Sequence, residues 1–275
     1  MSSGSVALNE NSGPITPTGA VAADQYNAIS ALYARCKLEP WRVFVEAFTL
    51  WKVIEKHATH EASSSWLKDK SVLDLACGNG HYARQLKARG AAAVKGVDIS
   101  QEMIALAKQC ETDQAQGVTY EVGDATHLSA DLHGKHDLVF ASYLLCYAQD
   151  YEHLLLMAQS IFAALKPGGR FVSVSDNTGQ ASASYADTAP YGFVKSCPEG
   201  RPLGCAIRYT FKDRATGEVF TFDNYYIPPW DIQRAFQKAG FASFRFIPLE
   251  ADPAHADEFH DFLCAAPVIA MEAIK

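Results

Sequence analysis

The chain lacks the features that would place it in a membrane, in an oxidising compartment or on a nucleic acid. Its seven cysteines are dispersed and form no CxxC pair, which argues against a zinc ribbon or a disulfide scaffold. No apolar run approaches the ~20 residues that span a bilayer, and residues 1–20 lack the basic start and apolar core of a signal peptide. The net charge is -7, with no basic stripe. We therefore expect a cytoplasmic protein, with a small-molecule partner, no nucleic acid and no membrane contact.

The composition is that of an ordinary globular protein, 48% hydrophobic and 20% charged over 275 residues. This length suffices for one domain with an insertion. Residues 1–20 are rich in Ser, Gly, Pro and Thr, which predicts a disordered tail. Residues 21–60 contain two helical patterns, 21–37 and 41–57, on either side of Pro40. We predict that these N-terminal helices form part of a cap over the main domain, residues 61–275.

From Ser71 onward, strand and helix patterns alternate in the way that produces a parallel sheet with helices on both faces. This predicts an α/β fold with a doubly wound, Rossmann-like sheet. A stretch rich in glycine and proline, 176–204, interrupts the alternation and reads as an insertion over the site. The predicted strands are 71–76, 93–98, 118–123, 136–142, 170–175, 205–212, 218–226 and, as the last, 241–247. The predicted helices are 80–89, 101–111, 150–165 and 229–239.

The segment VLDLACGNG, residues 72–80, carries the strongest signal for a ligand site. A strand containing Asp74 leads into a loop in which Gly78 and Gly80 allow a tight turn, and a helix follows at once. A glycine turn at a helix N-terminus suits a small anionic cofactor. Gly78, Gly80 and Ala83 also satisfy the dinucleotide fingerprint, and Asp98 lies twenty residues after Gly78. An NAD(P)-dependent oxidoreductase is therefore an alternative interpretation.

The motifs VLDLACGNG, GVDIS, VGDATHL, HDLVFASY and LKPGG, in this order, resemble those of class I S-adenosylmethionine-dependent methyltransferases. The resemblance covers about 55–250 and implies a seven-stranded sheet with a reversed C-terminal hairpin and an inserted lid. The methyltransferase domain would then be 61–275, with the substrate cap at 176–204. The segments YARCKLEPWRVFVEAFTLWKVI and DEFHDFLCAAP are similar to bacterial small-molecule methyltransferases of the toxoflavin and teleocidin pathways, in secondary metabolism.

This resemblance implies S-adenosyl-L-methionine as the cofactor and assigns residues to it. Asp98 would bind the ribose diol, although an acid there could also be a surface residue before the Ser100 helix cap. Asp124 would meet the adenine amino group, with a turn aspartate as the alternative. Tyr26 and Tyr33 resemble an element placed over the cofactor, or are core aromatics. The implied cofactor-binding residues are Tyr26, Tyr33, Asp74, Ala76, Gly78, Gly80, Asp98, Ile99, Met103, Asp124, Ala125, Ala141 and Ser142.

Methyl transfer from a sulfonium requires alignment first, and a general base only if the acceptor must lose a proton. The candidates for that base are His81 and Tyr143, although residues of these types at strand ends more often serve packing. Tyr147 and His127 are more distant candidates. The histidine pairs at 57 and 60, 133 and 136, and 255 and 260 have no convincing third ligand, so no metal site is predicted.

The acceptor is expected to be a small, hydrophobic or ring-containing metabolite. Aromatic residues are concentrated in the stretch 185–230, where they would form flat apolar walls or one face of an ordinary sheet. Whether nitrogen, carbon, oxygen or sulfur is methylated is left open by the sequence. A monomer and a homo-oligomer are equally compatible with it.

Overall fold

The computed structural model describes residues 37–56, 65–214 and 216–275. The strands in these ranges are β1 (Ser71–Leu75), β2 (Ala93–Asp98), β3 (Val118–Val122), β4 (His136–Ser142), β5 (Leu165–Asp176), β6 (Phe193–Ser196), β7 (Ala206–Lys212), β8 (Val219–Tyr225), β9 (Ser243–Ile247) and β10 (Val268–Ile274). The α-helices are α1 (Phe48–Glu55), α2 (His81–Ala88), α3 (Gln101–Asp113), α4 (Tyr151–Ala164), α5 (Pro229–Ala239) and α6 (His260–Ala265).

Seven strands form the central sheet, in the order β3-β2-β1-β4-β5-β10-β9. Strands β1 to β5 are parallel, whereas β10 is antiparallel to both of its neighbours. The direction of winding reverses between β1 and β4, which is where open α/β sheets place a ligand crevice. The predicted doubly wound sheet with a reversed C-terminal hairpin is therefore confirmed. None of the helices in the described ranges has the length and apolar character needed to cross a membrane.

The core lies in two layers, one on each face of the sheet. Along β1, Val72 faces the cluster that includes Tyr82 and Leu86 of α2, whereas Leu73 and Leu75 face the cluster formed with α4 and α5. Strand geometry requires this alternation, because successive side chains point to opposite faces. Burial on both faces explains why β1 reads as a nearly continuous apolar run, which Asp74 interrupts.

Strand β5 is longer than predicted. The sequence predicts a helix to 165 and a strand only from 170, but the strand begins at Leu165, directly after α4 ends at Ala164. The added length is paired with the end of the chain: Gly168 N donates to Lys275 O over 3.1 Å, and Lys275 N donates to Gly169 O over 3.0 Å. The glycines and the proline of this stretch are typical of a turn. The strand that pairs with it lies about a hundred residues further along the chain, so the local sequence contains no signal for the pairing.

The prediction that 241–247 is the last strand was wrong. Strand β9 occupies Ser243–Ile247, and β10 follows it and lies between β5 and β9. The β10 sequence, VIAMEAI, contains Ala, Met and Glu, which have no strong strand preference. Pairing with β5 on one side and with β9 on the other determines this strand. Strands β9 and β10 together form the C-terminal hairpin.

A second sheet is inserted between β5 and α5, with the order β6-β7-β8. Strands β7 and β8 match the predictions for 205–212 and 218–226, whereas β6 lies in the stretch predicted to be irregular. One face of this sheet is a stack of buried rings: Phe193 lies 5.1 Å from Phe211, and Tyr209 lies 5.3 Å from Phe222. These rings are therefore largely core contacts.

The N-terminal part of the described chain packs against both sheets. The predicted helix 41–57 is a π-helical turn, Arg42–Ala47, followed by α1. The Trp41 ring lies 5.3 Å from that of Phe193, which joins this segment to the inserted sheet. The guanidinium of Arg170 on β5 donates to the carbonyls of Val53 and Ile54 in α1, over 2.8 and 3.1 Å. The predicted tail, 1–20, and most of the predicted helix 21–37 lie outside the described residues.

Candidate functional site

A cleft opens at the carboxyl ends of β1 to β4, at the point where the winding reverses. It contains about 1010 Å³ of space, counting its opening to solvent. All but four of the predicted site residues line it. Gly80 and Ala141 are not in its lining, and Tyr26 and Tyr33 lie outside the described residues. The sequence pattern thus brings together side chains from four strands.

The loop after β1 is built from residues in the left-handed backbone region. Ala76 has φ 54°, Gly78 φ 55° and Gly80 φ 78°. Ala76 and Gly78 line the cleft, and a Cβ added to Gly78 would meet no protein atom within 4 Å. Gly80 instead is the N-cap residue of α2, where a Cβ would come within 2.4 Å of the Tyr120 hydroxyl. Gly78 therefore leaves room beside the cleft, whereas Gly80 is required by packing.

Asp74 is buried in the floor of the cleft with an unpaired oxygen. Its side chain is 1% exposed, and Oδ2 has no hydrogen-bond partner among the described residues. Burial raises the pKa of this carboxyl well above 3.8, although the positive charge of Lys37 opposes the shift. A buried acceptor without a donor is costly, so a ligand donor at this place would be favourable.

Asp98, at the end of β2, holds the glycine loop. Its Oδ2 accepts a hydrogen bond from Gly78 N over 2.7 Å, and Oδ1 accepts one from Ser100 N over 2.9 Å. Burial raises the pKa of Asp98, and the two N–H groups oppose that effect. Ser100 caps α3 by accepting from Met103 N over 3.1 Å, so Ile99 and Met103 are presented along the same wall. Each Asp98 oxygen retains a further lone pair for a ligand hydroxyl.

Asp124 follows β3 and has a turn-forming role as well as a place in the cleft. Its Oδ1 accepts from Thr126 N over 2.8 Å and from Thr126 Oγ1 over 2.7 Å. The residue is 5% exposed, and Ala125 beside it also lines the cleft. The two interpretations of Asp124, a turn aspartate and a ligand contact, are therefore compatible.

At the end of β4 the chain turns sharply and presents a tyrosine. Ala141 is fully buried inside the strand, while Ser142 and Tyr143 line the cleft. Tyr143 has φ 63°, an uncommon conformation for a bulky residue, and its N donates to Val174 O over 2.8 Å. Strain of this kind is concentrated at functional sites.

The Tyr143 hydroxyl belongs to a buried cluster around Glu46, which the sequence analysis missed. Glu46 is 0% exposed; its Oε2 accepts from the Tyr143 hydroxyl over 2.6 Å and from Arg42 Nη1 over 3.0 Å. Its Oε1 accepts from the Tyr82 hydroxyl over 2.7 Å. The one available signal was an acid within the apolar pattern FVEAF, inside the predicted helix 41–57.

His81 is the first residue of α2 and lies in the cleft wall. Burial, followed by the positive charge of Lys37, lowers its pKa to about 4. The imidazole is therefore neutral near pH 7 and can accept a proton. Nε2 of His81 lies 2.8 Å from Nε2 of Gln85, one turn further along the helix. His127, a more distant candidate, is exposed and outside the cleft lining, whereas Tyr147 is part of it.

Several lining residues carried no recognisable sequence signal. Lys37 and His153 come from segments far from the strand ends, and Met157 and Leu144 read as ordinary core residues. Of the aromatic set predicted for the acceptor pocket, Phe193, Tyr209 and Phe211 are buried in the inserted sheet and do not line the cleft. Within 37–56, 65–214 and 216–275, no three metal-ligating side chains are grouped together.

Comparison with known proteins identifies the class of the central segment. Residues 72–169 match the family model of a methyltransferase domain. The ubiquinone biosynthesis O-methyltransferase of Coxiella burnetii is 33% identical over 104 residues, which are 38% of this chain and 42% of that protein. The chain thus spans less than half the length of the curated relatives that it matches. The segment around the cleft, 72–169, is therefore similar to methyltransferase domains.

The whole described fold is shared with solved structures. An S-adenosylmethionine-dependent methyltransferase from Mesorhizobium loti superposes with a TM-score of 0.55 and 23% identity, over 76% of this chain and 92% of that one. The [4+2]-cyclase SpnF superposes with a TM-score of 0.59 and 16% identity, over 96% and 99%. The chain therefore has the class I S-adenosylmethionine-dependent methyltransferase fold. The narrower resemblance to toxoflavin and teleocidin enzymes stays a prediction.

Proposed function

We propose that this protein is an enzyme that transfers the methyl group of S-adenosyl-L-methionine to a small, hydrophobic or ring-containing metabolite. The observation that carries the proposal is the arrangement of Asp74, Asp98 and Asp124 around one cleft of a methyltransferase domain. Each of these carboxylates comes from a different one of three adjacent strands. Together they present acceptors along the length of an elongated ligand.

The residues present fit this cofactor. The unpaired Asp74 Oδ2 would accept from the ammonium of the methionine part, with Ala76 and Gly78 leaving room beside it. Asp98 would bind the ribose diol. Ile99 and Met103 would flank the adenine, and Asp124 with the Ala125 amide would meet its amino group. If the cofactor makes these contacts, its sulfur would lie beside Ser142 and Tyr143. When bound, the cofactor supplies an electrophilic methyl group on a sulfonium.

The chain's own residues then align the acceptor and take up its proton where one is released. Orientation can supply about 7 to 11 kcal/mol of the barrier, so no single catalytic residue is obligatory. His81 is neutral near pH 7, and its Nε2 would have to leave the contact with Gln85 Nε2, 2.8 Å away, to accept a proton from the acceptor. The Tyr143 hydroxyl donates to Glu46, so it could take up a proton from the acceptor only while passing its own proton to the Glu46 carboxylate. Both groups lie in the cleft wall and are the candidates for proton transfer.

The acceptor would bind between the cleft and the segments that precede and interrupt the sheet. Tyr82, Tyr143 and Tyr147 give the cleft flat aromatic walls, which suit a ring. We propose that residues 21–60 and the insertion 176–204 together form a cap and lid over this place. The methylated atom, whether nitrogen, carbon, oxygen or sulfur, is not specified by these walls. A cytoplasmic location also stays a prediction.

Turnover has to be measured as well as binding, because the fold supports other chemistry. The cyclase SpnF shares it over nearly the full chain. A protein that binds the cofactor without transferring methyl is therefore the alternative to an active methyltransferase. Nothing in the matches reported above favours an NAD(P)-dependent oxidoreductase.

Substitution of the two candidate bases tests the proposed chemistry. We expect transfer of isotope-labelled methyl from S-adenosylmethionine to a member of a panel of phenols, quinols and aromatic amines. For a protic acceptor, His81→Ala or Tyr143→Phe should lower kcat by about 10² or more, since a well-placed base contributes about 10²- to 10⁴-fold. Calorimetry should show cofactor affinity nearly unchanged in His81→Ala, and a smaller change in affinity than in kcat for Tyr143→Phe, which keeps the ring.

His127→Ala is the matched control, because this histidine is exposed and lies outside the cleft lining. It should retain full turnover. If His81→Ala and Tyr143→Phe both turn over at the wild-type rate with intact cofactor binding, neither residue is a catalytic base.

A further inference from the structure

The ammonium of Lys37 lies inside the cleft, against two tyrosine rings. Nζ is 5.1 Å from the ring centroid of Tyr143 and 5.8 Å from that of Tyr82. Nζ also donates to Ser142 Oγ, over 3.3 Å. Ser142 and Tyr143 are the residues that the proposed function places beside the cofactor sulfur. A cation of the chain itself therefore occupies that end of the cleft.

The surroundings explain why a positive charge is stable there. The hydroxyls of Tyr82 and Tyr143 both donate to the Glu46 carboxylate, which is 0% exposed. Glu46 is also paired with Arg42 Nη1 over 3.0 Å, and the Arg42 guanidinium lies 4.9 Å from the Tyr143 ring centroid, so the attraction for a further cation comes mainly from the two ring faces. Asp74 lines the same cleft and is close enough for Lys37 to oppose the rise in its pKa. The two ring faces at this end of the cleft therefore suit a cation.

We propose that Tyr82, Tyr143 and Glu46 form a cation site for the sulfonium of the cofactor, and that Lys37 competes with the sulfonium for this site. The inference rests on the proposed function. S-adenosylmethionine has a positive sulfur that displaces the Lys37 ammonium. S-adenosylhomocysteine has a neutral sulfur, so Lys37 stays in place beside it. The position of the Lys37 side chain therefore depends on the charge of the sulfur, which is the one charge that differs between donor and product.

This competition has a consequence for turnover. Methyl transfer forms a bond from the acceptor atom to the methyl carbon and breaks the bond from sulfur to that carbon, and the electron pair of the broken bond stays on the sulfur, which becomes neutral. The cation site is then vacant within the product complex, and the Lys37 ammonium returns to it. Competition raises the Kd of S-adenosylmethionine relative to a protein without Lys37, and the return of Lys37 limits the advantage of the donor over the product.

Calorimetric titration with S-adenosylmethionine and S-adenosylhomocysteine tests this inference without an acceptor. Lys37→Met removes the charge and keeps the length of the side chain. Because a cation on aromatic rings contributes about 0.5 to 2 kcal/mol, we expect Lys37→Met to bind S-adenosylmethionine about 3- to 30-fold more tightly. Its affinity for S-adenosylhomocysteine should stay within about twofold of wild type. Lys37→Arg keeps the charge and should resemble wild type for both ligands.

Glu46→Gln is the complementary variant, because it removes the charge behind the rings. It should weaken S-adenosylmethionine binding more than S-adenosylhomocysteine binding, and far-UV circular dichroism checks that it folds. Equal shifts for the two ligands in Lys37→Met, or no shift, would overturn the inference while leaving the proposed function intact. Failure of wild type to bind either ligand would overturn the proposed function, and the inference with it.

Discussion

Asp98→Ala is expected to lower the affinity for S-adenosylmethionine by about a hundredfold or more. Two hydrogen bonds from the ribose diol to a carboxylate contribute about 1.5 to 3 kcal/mol each, and both are lost. The substitution also removes the acceptor for Gly78 N and Ser100 N, at 2.7 and 2.9 Å, which hold the glycine loop and the start of α3. Calorimetric titration gives the change in Kd directly.

Asp137→Ala is the matched control for Asp98→Ala. Asp137 is also an aspartate on a central strand, and it accepts from Ser71 N over 2.9 Å and from Lys166 Nζ over 2.8 Å. It lies near the start of β4, at the opposite end of the strand from the cleft, so its loss should affect stability and leave cofactor affinity within about twofold. Equal losses of affinity in the two variants would contradict the role assigned to Asp98.

Glu272→Gln is expected to destabilise the fold by about 3 to 5 kcal/mol, since it removes one partner of a buried ion pair. Glu272 on β10 is 3% exposed; its Oε1 accepts from Arg170 Nη2 over 2.6 Å, and its Oε2 accepts from Arg245 Nε over 2.8 Å. Arg170 is itself buried and also holds the end of α1. The variant leaves that guanidinium without its counter-charge. Urea denaturation gives the free energy of unfolding.

The same ion pair predicts a pH dependence. Burial would raise the pKa of Glu272, but hydrogen bonds from Arg170 and Arg245 outweigh it and hold the pKa below 4.5. A folded-state pKa below the unfolded value means that the contribution is present above about pH 4.5 and is lost as the pH falls through the folded pKa. Wild type should therefore lose this stability in acid, and Glu272→Gln should lose less over the same range.

Glu250→Gln makes the same chemical change at an exposed pair. Glu250 pairs with Lys52, and both side chains are more than half exposed. Surface pairs of this kind contribute about 0 to 1 kcal/mol, so the control should differ little from wild type. If Glu272→Gln costs no more than Glu250→Gln, the buried pair does not stabilise the junction of α1, β5 and β10.

The sequence was sufficient for those parts of the site that depend on local pattern. Each strand from β1 to β4 ends in a polar residue or a glycine loop, and the parallel sheet brings those ends to one edge. Asp74, Asp98 and Asp124 could therefore be placed in one cleft before any contact was known. The left-handed backbone at Gly78 and Gly80 could be anticipated for the same reason.

The parts that the sequence did not predict depend on contacts between distant segments. Glu46 and Lys37 precede the first strand, and only tertiary packing brings them against Tyr82 and Tyr143. Strand β10 has weak local preference and is determined by its neighbours on both sides. Gly80 was assigned to the ligand because of its motif, whereas the structure uses it to clear the ring of Tyr120.

The most direct test of the proposed function is calorimetric titration of the full chain with S-adenosylmethionine and, separately, with NADH. Both ligands contain an adenosine with a ribose diol, so the comparison separates the two cofactor classes that fit the loop at Gly78. We predict binding of S-adenosylmethionine with one site per chain and no measurable binding of NADH. Binding of NADH without binding of S-adenosylmethionine would contradict the proposed function.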